Sequence, residues 1–142
     1  MNKVFPIALC LLVSLSVTAQ SAQELKDQGF QVFEHQSGDT TYLMKQYFMG
    51  FLMRGDKLDH PEEEAAALQA AHLAHMAKLG EEKKLCVAGP FGDDGAMRGI
   101  VIYSVPTLEE AQALAAADPA VQAGRLKVEV RPWWAAVGTV LY

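Results

Sequence analysis

The chain has no surplus of basic residues: 12 Lys and Arg stand against 17 Asp and Glu, for a net charge of −5. No basic face alternates with aromatics, so nucleic acid is not expected as a partner. Cysteine is almost absent, with only Cys10 and Cys86 present. Cys10 lies in an N-terminal apolar run whose removal leaves Cys86 alone, and one cysteine forms no intramolecular disulfide. Cys86 sits in the apolar stretch Leu85-Cys86-Val87-Ala88, with nothing nearby in sequence to lower its pKa. It is expected to be a small buried hydrophobe rather than a nucleophile. No Lys-Ser/Thr follows Gly89 and Gly92, so these glycines serve a hairpin rather than a phosphate. No motif adds a third ligand to His72-x-x-His75, so no metal is expected, nor any other cofactor. There is no internal repeat beyond two similar β–α halves.

What is present is a core. Half of the chain is hydrophobic (51%), enough for a single domain of this length. Residues 1–19 read as a secretory signal: Lys3 supplies the positive end, Val4 to Val17 the apolar region, and Val17-Thr18-Ala19 a small-residue cleavage site. The apolar stretch is shorter than the about 20 residues of a membrane span, and Leu9 before Cys10 is too large for a lipoprotein signal. Cleavage would give a periplasmic or secreted protein with no stable membrane association. Residues 20–40 form a polar leader whose apolar patch, Phe30, Val32 and Phe33, could add a short edge strand. A domain over 41–134 and an apolar tail over 135–142 complete the chain.

Periodicity orders the domain. Tyr42 to Met53 is aromatic and apolar on both faces, as in a strand buried on both sides. Arg54-Gly55-Asp56 ends it. Pro61 at the first helical position, Glu62 to Glu64 after it and Gly80 as a stop frame a long helix. Its apolar stripe is Ala65, Leu68, His72, Met76 and Leu79, with His75 at the margin. Two strands follow, Leu85 to Ala88 and Arg98 to Val105, joined through Asp93-Asp94-Gly95. A second helix runs from about Thr107 to Ala116, with Thr107 and Glu110 as a capping box. Asp118-Pro119 breaks it, and the last strand is Leu126 to Val130, closed by Arg131-Pro132-Trp133-Trp134. The order βαββαβ is the ferredoxin-like α+β arrangement. One face of such a sheet is left open by its two helices, so a homodimer, a dimeric α+β barrel, is expected to cover it.

A histidine in the middle of an apolar stripe needs a hydrogen-bond partner or costs about 1–3 kcal/mol. An aspartate on one imidazole nitrogen would fix the tautomer and leave the other nitrogen basic. That makes His72 a candidate general acid/base and Asp118 its orienter. The alternatives are a core histidine satisfied by a carbonyl, and an Asp-Pro that only forms a turn. His75, Tyr47, Trp133 and Arg54 are candidate substrate-binding residues: the two aromatics could stack on a ring and Arg54 could take a carboxylate.

From about Tyr42 to Trp134 the chain resembles the YCII-related (YciI-like) family. The resemblance rests on Tyr47 to Gly55, Ala71-His72-Leu73-Ala74-His75, Ala88-Gly89-Pro90-Phe91-Gly92, Ala117-Asp118-Pro119 with Gly124, and Val130-Arg131-Pro132-Trp133. It implies a ferredoxin-like dimeric barrel and a His–Asp active site on His72 and Asp118. Some members of that family are linked to dehydrohalogenation-type chemistry on aromatic rings. The expected function is a small cofactor-independent enzyme moving a proton on a small molecule, by elimination or isomerisation. The alternative is a non-catalytic module that binds or senses a small ligand.

Overall fold

A long central strand carries the sheet of the computed structural model, which describes residues 21–141. The expected signal segment, 1–19, lies outside the described residues. In chain order the elements are α1 (Ala22–Asp27), β1 (Val32–Ser37), β2 (Thr40–Arg54), α2 (Glu62–Glu81), β3 (Leu85–Pro90), β4 (Met97–Tyr103), α3 (Leu108–Ala116), α4 (Pro119–Gln122) and β5 (Leu126–Ala136). β2 pairs antiparallel with β4 along one edge and with β5 along the other, and β3 lies outside β4. The order β5-β2-β4-β3 is that of a ferredoxin-like sheet. The segment expected as a leader is folded onto it: Leu25 of α1 is buried, and β1 pairs with the start of β2.

The two faces of β2 differ. Phe48, Gly50 and Leu52 are buried beneath the helices, and Phe48 and Leu52 pack with Met76, Leu79, Val101, Tyr103, Ala111 and Ala115. Tyr47, Met49, Phe51 and Met53 alternate onto the other face and are only half-buried. Burial on both sides therefore holds for one face only within a single copy. Nor does β5 stop at Val130. It runs through Pro132 to Ala136, into the expected apolar tail, and proline is tolerated there because β5 pairs only with β2 among the described strands.

Local signals set the element ends, with some departures. Thr107 caps α3 by accepting the Glu110 N–H, but the reciprocal half of the capping box is not made; the Glu110 carboxylate faces Lys84 at 3.8 Å instead. Pro61 is the N-cap of α2, one position earlier than expected. α2 also passes Gly80 and turns at Lys83, which takes φ 57. There the Lys83 and Lys84 N–H groups return to the Gly80 and Leu79 carbonyls, a Schellman closure with lysine where glycine is usual. Glycine is required at Gly55, where a Cβ would strike the Gly124 carbonyl oxygen; the Gly55 N–H donates to Arg125 O at 2.9 Å. Gly124 has φ 73 and completes the turn after α4.

Cys86 is exposed, not buried, because exposure alternates along β3 and Cys86 falls on the exposed positions, between the half-buried Leu85 and Val87. Its thiol donates to Ile102 O at 3.3 Å, and desolvation pushes it above the ordinary thiol value, with Lys45 partly opposing.

Candidate functional site

Asp118 and His72 come from segments whose local structure fixes each of them. His72 lies on the sheet-facing stripe of α2, four residues before the buried Met76. Asp118 is the N-cap of α4, with Pro119 at its first position, and its Oδ1 accepts the Ala120 N–H at 2.9 Å. The other carboxylate oxygen, Oδ2, is 2.6 Å from His72 Nδ1. The side chains are 12% and 1% exposed respectively. A carboxylate only accepts, so Nδ1–H donates to Asp118 Oδ2, and in the neutral ring Nε2 is then the nitrogen with a free lone pair. Nε2 makes no hydrogen bond among the described residues and is not sealed from solvent.

His72 lines a cleft of about 400 Å³, a volume that suits a small molecule. Gln69, Leu73 and Met76 of α2 form one wall with it, and Leu52, Gly99, Val101 and the Ala88-Gly89-Pro90 run form the sheet wall. Three arginines, Arg54, Arg98 and Arg125, also line it. The Arg54 and Arg98 guanidinium groups both donate to Asp94 Oδ1, at 2.8 and 2.9 Å. They hold the Asp94 carboxyl below the usual carboxylate range, Arg54 more strongly.

Of the residues expected from sequence, the fold brings His72, Asp118 and Arg54 together. It does not bring the other three to this cleft. The Nε2–H of His75 points to Leu114 O at 3.0 Å, toward α3. Tyr47 and Trp133 are cross-strand partners on the open face of the sheet, with ring centroids 6.2 Å apart. Strand alternation puts them opposite the helices, so neither can line a cleft beneath α2. Arg98, Arg125 and Gln69 were not singled out by sequence: the two arginines reach the cleft from segment ends that meet only in the fold, and Gln69 from the middle of α2. Gln69 alone had a signal, three residues before His72 on the same helix. Tyr103 was also missed. Its hydroxyl is buried without a partner, and its phenol is held well above the ordinary range, first by burial and then by the charge of Asp118.

Among the described residues no group of three or more His, Cys, Asp and Glu is arranged to hold a metal ion.

The sheet order and the histidine–aspartate pair at a cleft under α2 define a ferredoxin-like α+β protein of the dimeric-barrel type of fold. The chain belongs to the YCII-related domain family, whose profile matches residues 49–134. It is 38% identical over 87 residues to the protein YciI of Escherichia coli, covering 55% of this chain and 88% of that protein. It is 34% identical over 64 residues to YjpA of Bacillus subtilis, covering 45% and 73%. Among solved structures it is similar to muconolactone isomerase, with a TM-score of 0.51 at 15% identity over 61% of this chain and 86% of that one. A 5-chloro-2-hydroxyhydroquinone dehydrochlorinase from Burkholderia phenoliruptrix aligns with a TM-score of 0.46 at 23% identity, over 61% and 92%. At 15% identity, the likeness to muconolactone isomerase is one of fold alone.

Proposed function

We propose that this protein is a small acid–base enzyme in which His72 moves a proton on a small molecule held in the cleft. The observation that carries this is the 2.6 Å contact between His72 Nδ1 and Asp118 Oδ2 at the edge of a solvent-reachable hollow. Asp118 keeps Nδ1 protonated and aims the ring. Nε2 takes a proton from an acidic carbon of the substrate, and the imidazolium so formed is stabilised by the buried carboxylate. Returning that proton at another atom is an isomerisation; losing a leaving group from the carbanion is an elimination. Isomerisation is the reaction named for muconolactone isomerase, whose chain shares this fold, but the reading stands on the His–Asp geometry rather than on that likeness.

The working unit is a homodimer, acting in the periplasm or medium after loss of residues 1–19. Support for the dimer is the half-buried row Met49, Phe51 and Met53 on the open sheet face, beside Trp133 at 38% exposure. A second copy would withdraw that surface from water.

Deuterium exchange tests the proton transfer. Small enolisable and hydroxylated aromatic compounds are incubated with the protein in heavy water and followed by NMR. Deuterium should enter an acidic carbon position with the native protein and not with His72→Gln. Equal exchange by the two proteins for every compound removes the enzyme reading and leaves a ligand-binding module.

A further inference from the structure

The charge lining the His72 cleft is opposite in sign to that of the chain. Overall the chain carries −5, yet Arg54, Arg98 and Arg125 all line this hollow. Asp94 offsets the first two with a single shared oxygen, and it stands 90% exposed at the rim. The other acid at the cleft, Asp118, is committed: one oxygen faces His72 and the other accepts the Ala120 N–H. Arg125 makes no ion pair and no side-chain hydrogen bond among the described residues. Its backbone, by contrast, is pinned on both sides. The Arg125 N–H donates to Ala120 O at 2.9 Å, and its carbonyl accepts the Gly55 N–H at 2.9 Å. An arginine that lines the cleft on a fixed backbone, half-buried and without a carboxylate partner among the described residues, is a prepared anion receptor.

We infer that the cleft takes a small organic anion, a carboxylate or acidic phenolate on an apolar body, with Arg125 as its anchor. This deepens the proposed function and rests on its premise that the ligand lies against His72. A charge anchored at Arg125 leaves the apolar body to the apolar lining of the same cleft, Leu73, Met76 and Ile100 among it, where His72 is also a lining residue. The Arg54–Asp94–Arg98 cluster forms the second positive wall. Negative charge that builds on the ligand as its proton leaves is stabilised by the same guanidinium groups. The contribution needs no rearrangement, because Asp94 already holds two of them in place.

Benzoate and benzamide, nearly equal in shape and different in charge, test it by NMR titration of the purified protein. Benzoate should shift resonances of the cleft and bind about tenfold tighter than benzamide, as a charge-assisted contact implies. Arg125→Gln should weaken benzoate about tenfold while leaving benzamide unchanged, and added salt should weaken benzoate alone. His72→Gln, which loses exchange under the proposed function, should still bind benzoate. Equal affinities for the two compounds, binding of neither, or undiminished benzoate binding by Arg125→Gln would overturn the anion site. None of those results alters the deuterium-exchange readout, so the two readings fail separately.

Discussion

His72 and Asp118 stand 46 residues apart in the chain and 2.6 Å apart in space. A histidine on an apolar helical stripe costs stability if left unpaired, and here the partner is a carboxylate 1% exposed. That carboxylate is itself kept from being a stray buried charge by the Ala120 N–H on its other oxygen. Capping and orienting are thus done by one side chain, and the two roles can be separated by substitution.

Asp118→Asn retains a good N-cap and the shape of the side chain, but offers an amide where the imidazole needs a carboxylate. Stability should change by no more than about 1 kcal/mol, while exchange activity falls by about 10²–10⁴-fold. Asp118→Ala should lose the cap as well, costing about 1–3 kcal/mol in urea denaturation. An Asn variant with native exchange rates would refute the orienting role.

Tyr103 carries a pH signature. Its phenol is raised well above the ordinary value of 10.0 by burial and by Asp118, so it stays neutral in the folded protein while the unfolded chain ionises. The stability it contributes is fully present below pH 10 and is lost as pH rises beyond it, at about 1.4 kcal/mol per pH unit. Tyr103→Phe should remove that loss. Urea denaturation at about pH 8 and pH 11 should give a shallower pH slope for the variant than for the native protein; equal slopes would contradict the burial argument.

At the end of α2, Lys83 holds φ 57, a left-handed conformation that is strained for any residue with a side chain. Lys83→Gly should stabilise the protein by about 0.5–1 kcal/mol, less whatever the more flexible unfolded chain takes back. Thermal unfolding measures it directly. A lower melting temperature would mean that Lys83 contributes more through its side chain than its backbone costs.

On the open face, Phe51 lies between Ile100 and Glu129 in the sheet register. If a second copy covers this face, Phe51→Asp buries an unpaired carboxylate at the interface, at a cost of several kcal/mol. Light scattering should then give a dimer for the native protein and a monomer for the variant. A native monomer, or a variant that stays dimeric, would place any interface elsewhere.

The architecture was legible where periodicity was strong. The stripe Ala65, Leu68, His72, Met76 and Leu79 identified α2 and its inward face, and the turn residues around Asp94 and Asp118 located its neighbours. The site was legible only in part. His72 betrayed itself as a polar residue on a greasy face, and Asp118 through the family resemblance, since nothing local says which segment an aspartate will meet. The doubly apolar character of β2 hid its two-residue alternation. Tyr47 and Trp133, candidate ligand contacts or core or dimer residues by sequence, pair on the open face of the sheet, away from the His72 cleft. Arg98 and Arg125 had no periodic signal at all. They converge because the end of β2, the β3–β4 hairpin and the α4 turn meet where Gly55 allows backbone to touch backbone.

That glycine contact has a further consequence. The few residues from Asp118 to Arg125 begin with the group that steers the imidazole and finish with an arginine that lines the hollow, and Gly55 clamps the far end of the bracket to the sheet. A bulkier residue at Gly55 would push against the Gly124 carbonyl and displace both fittings together, so a defect that touches neither His72 nor Asp118 would reach the chemistry through the backbone.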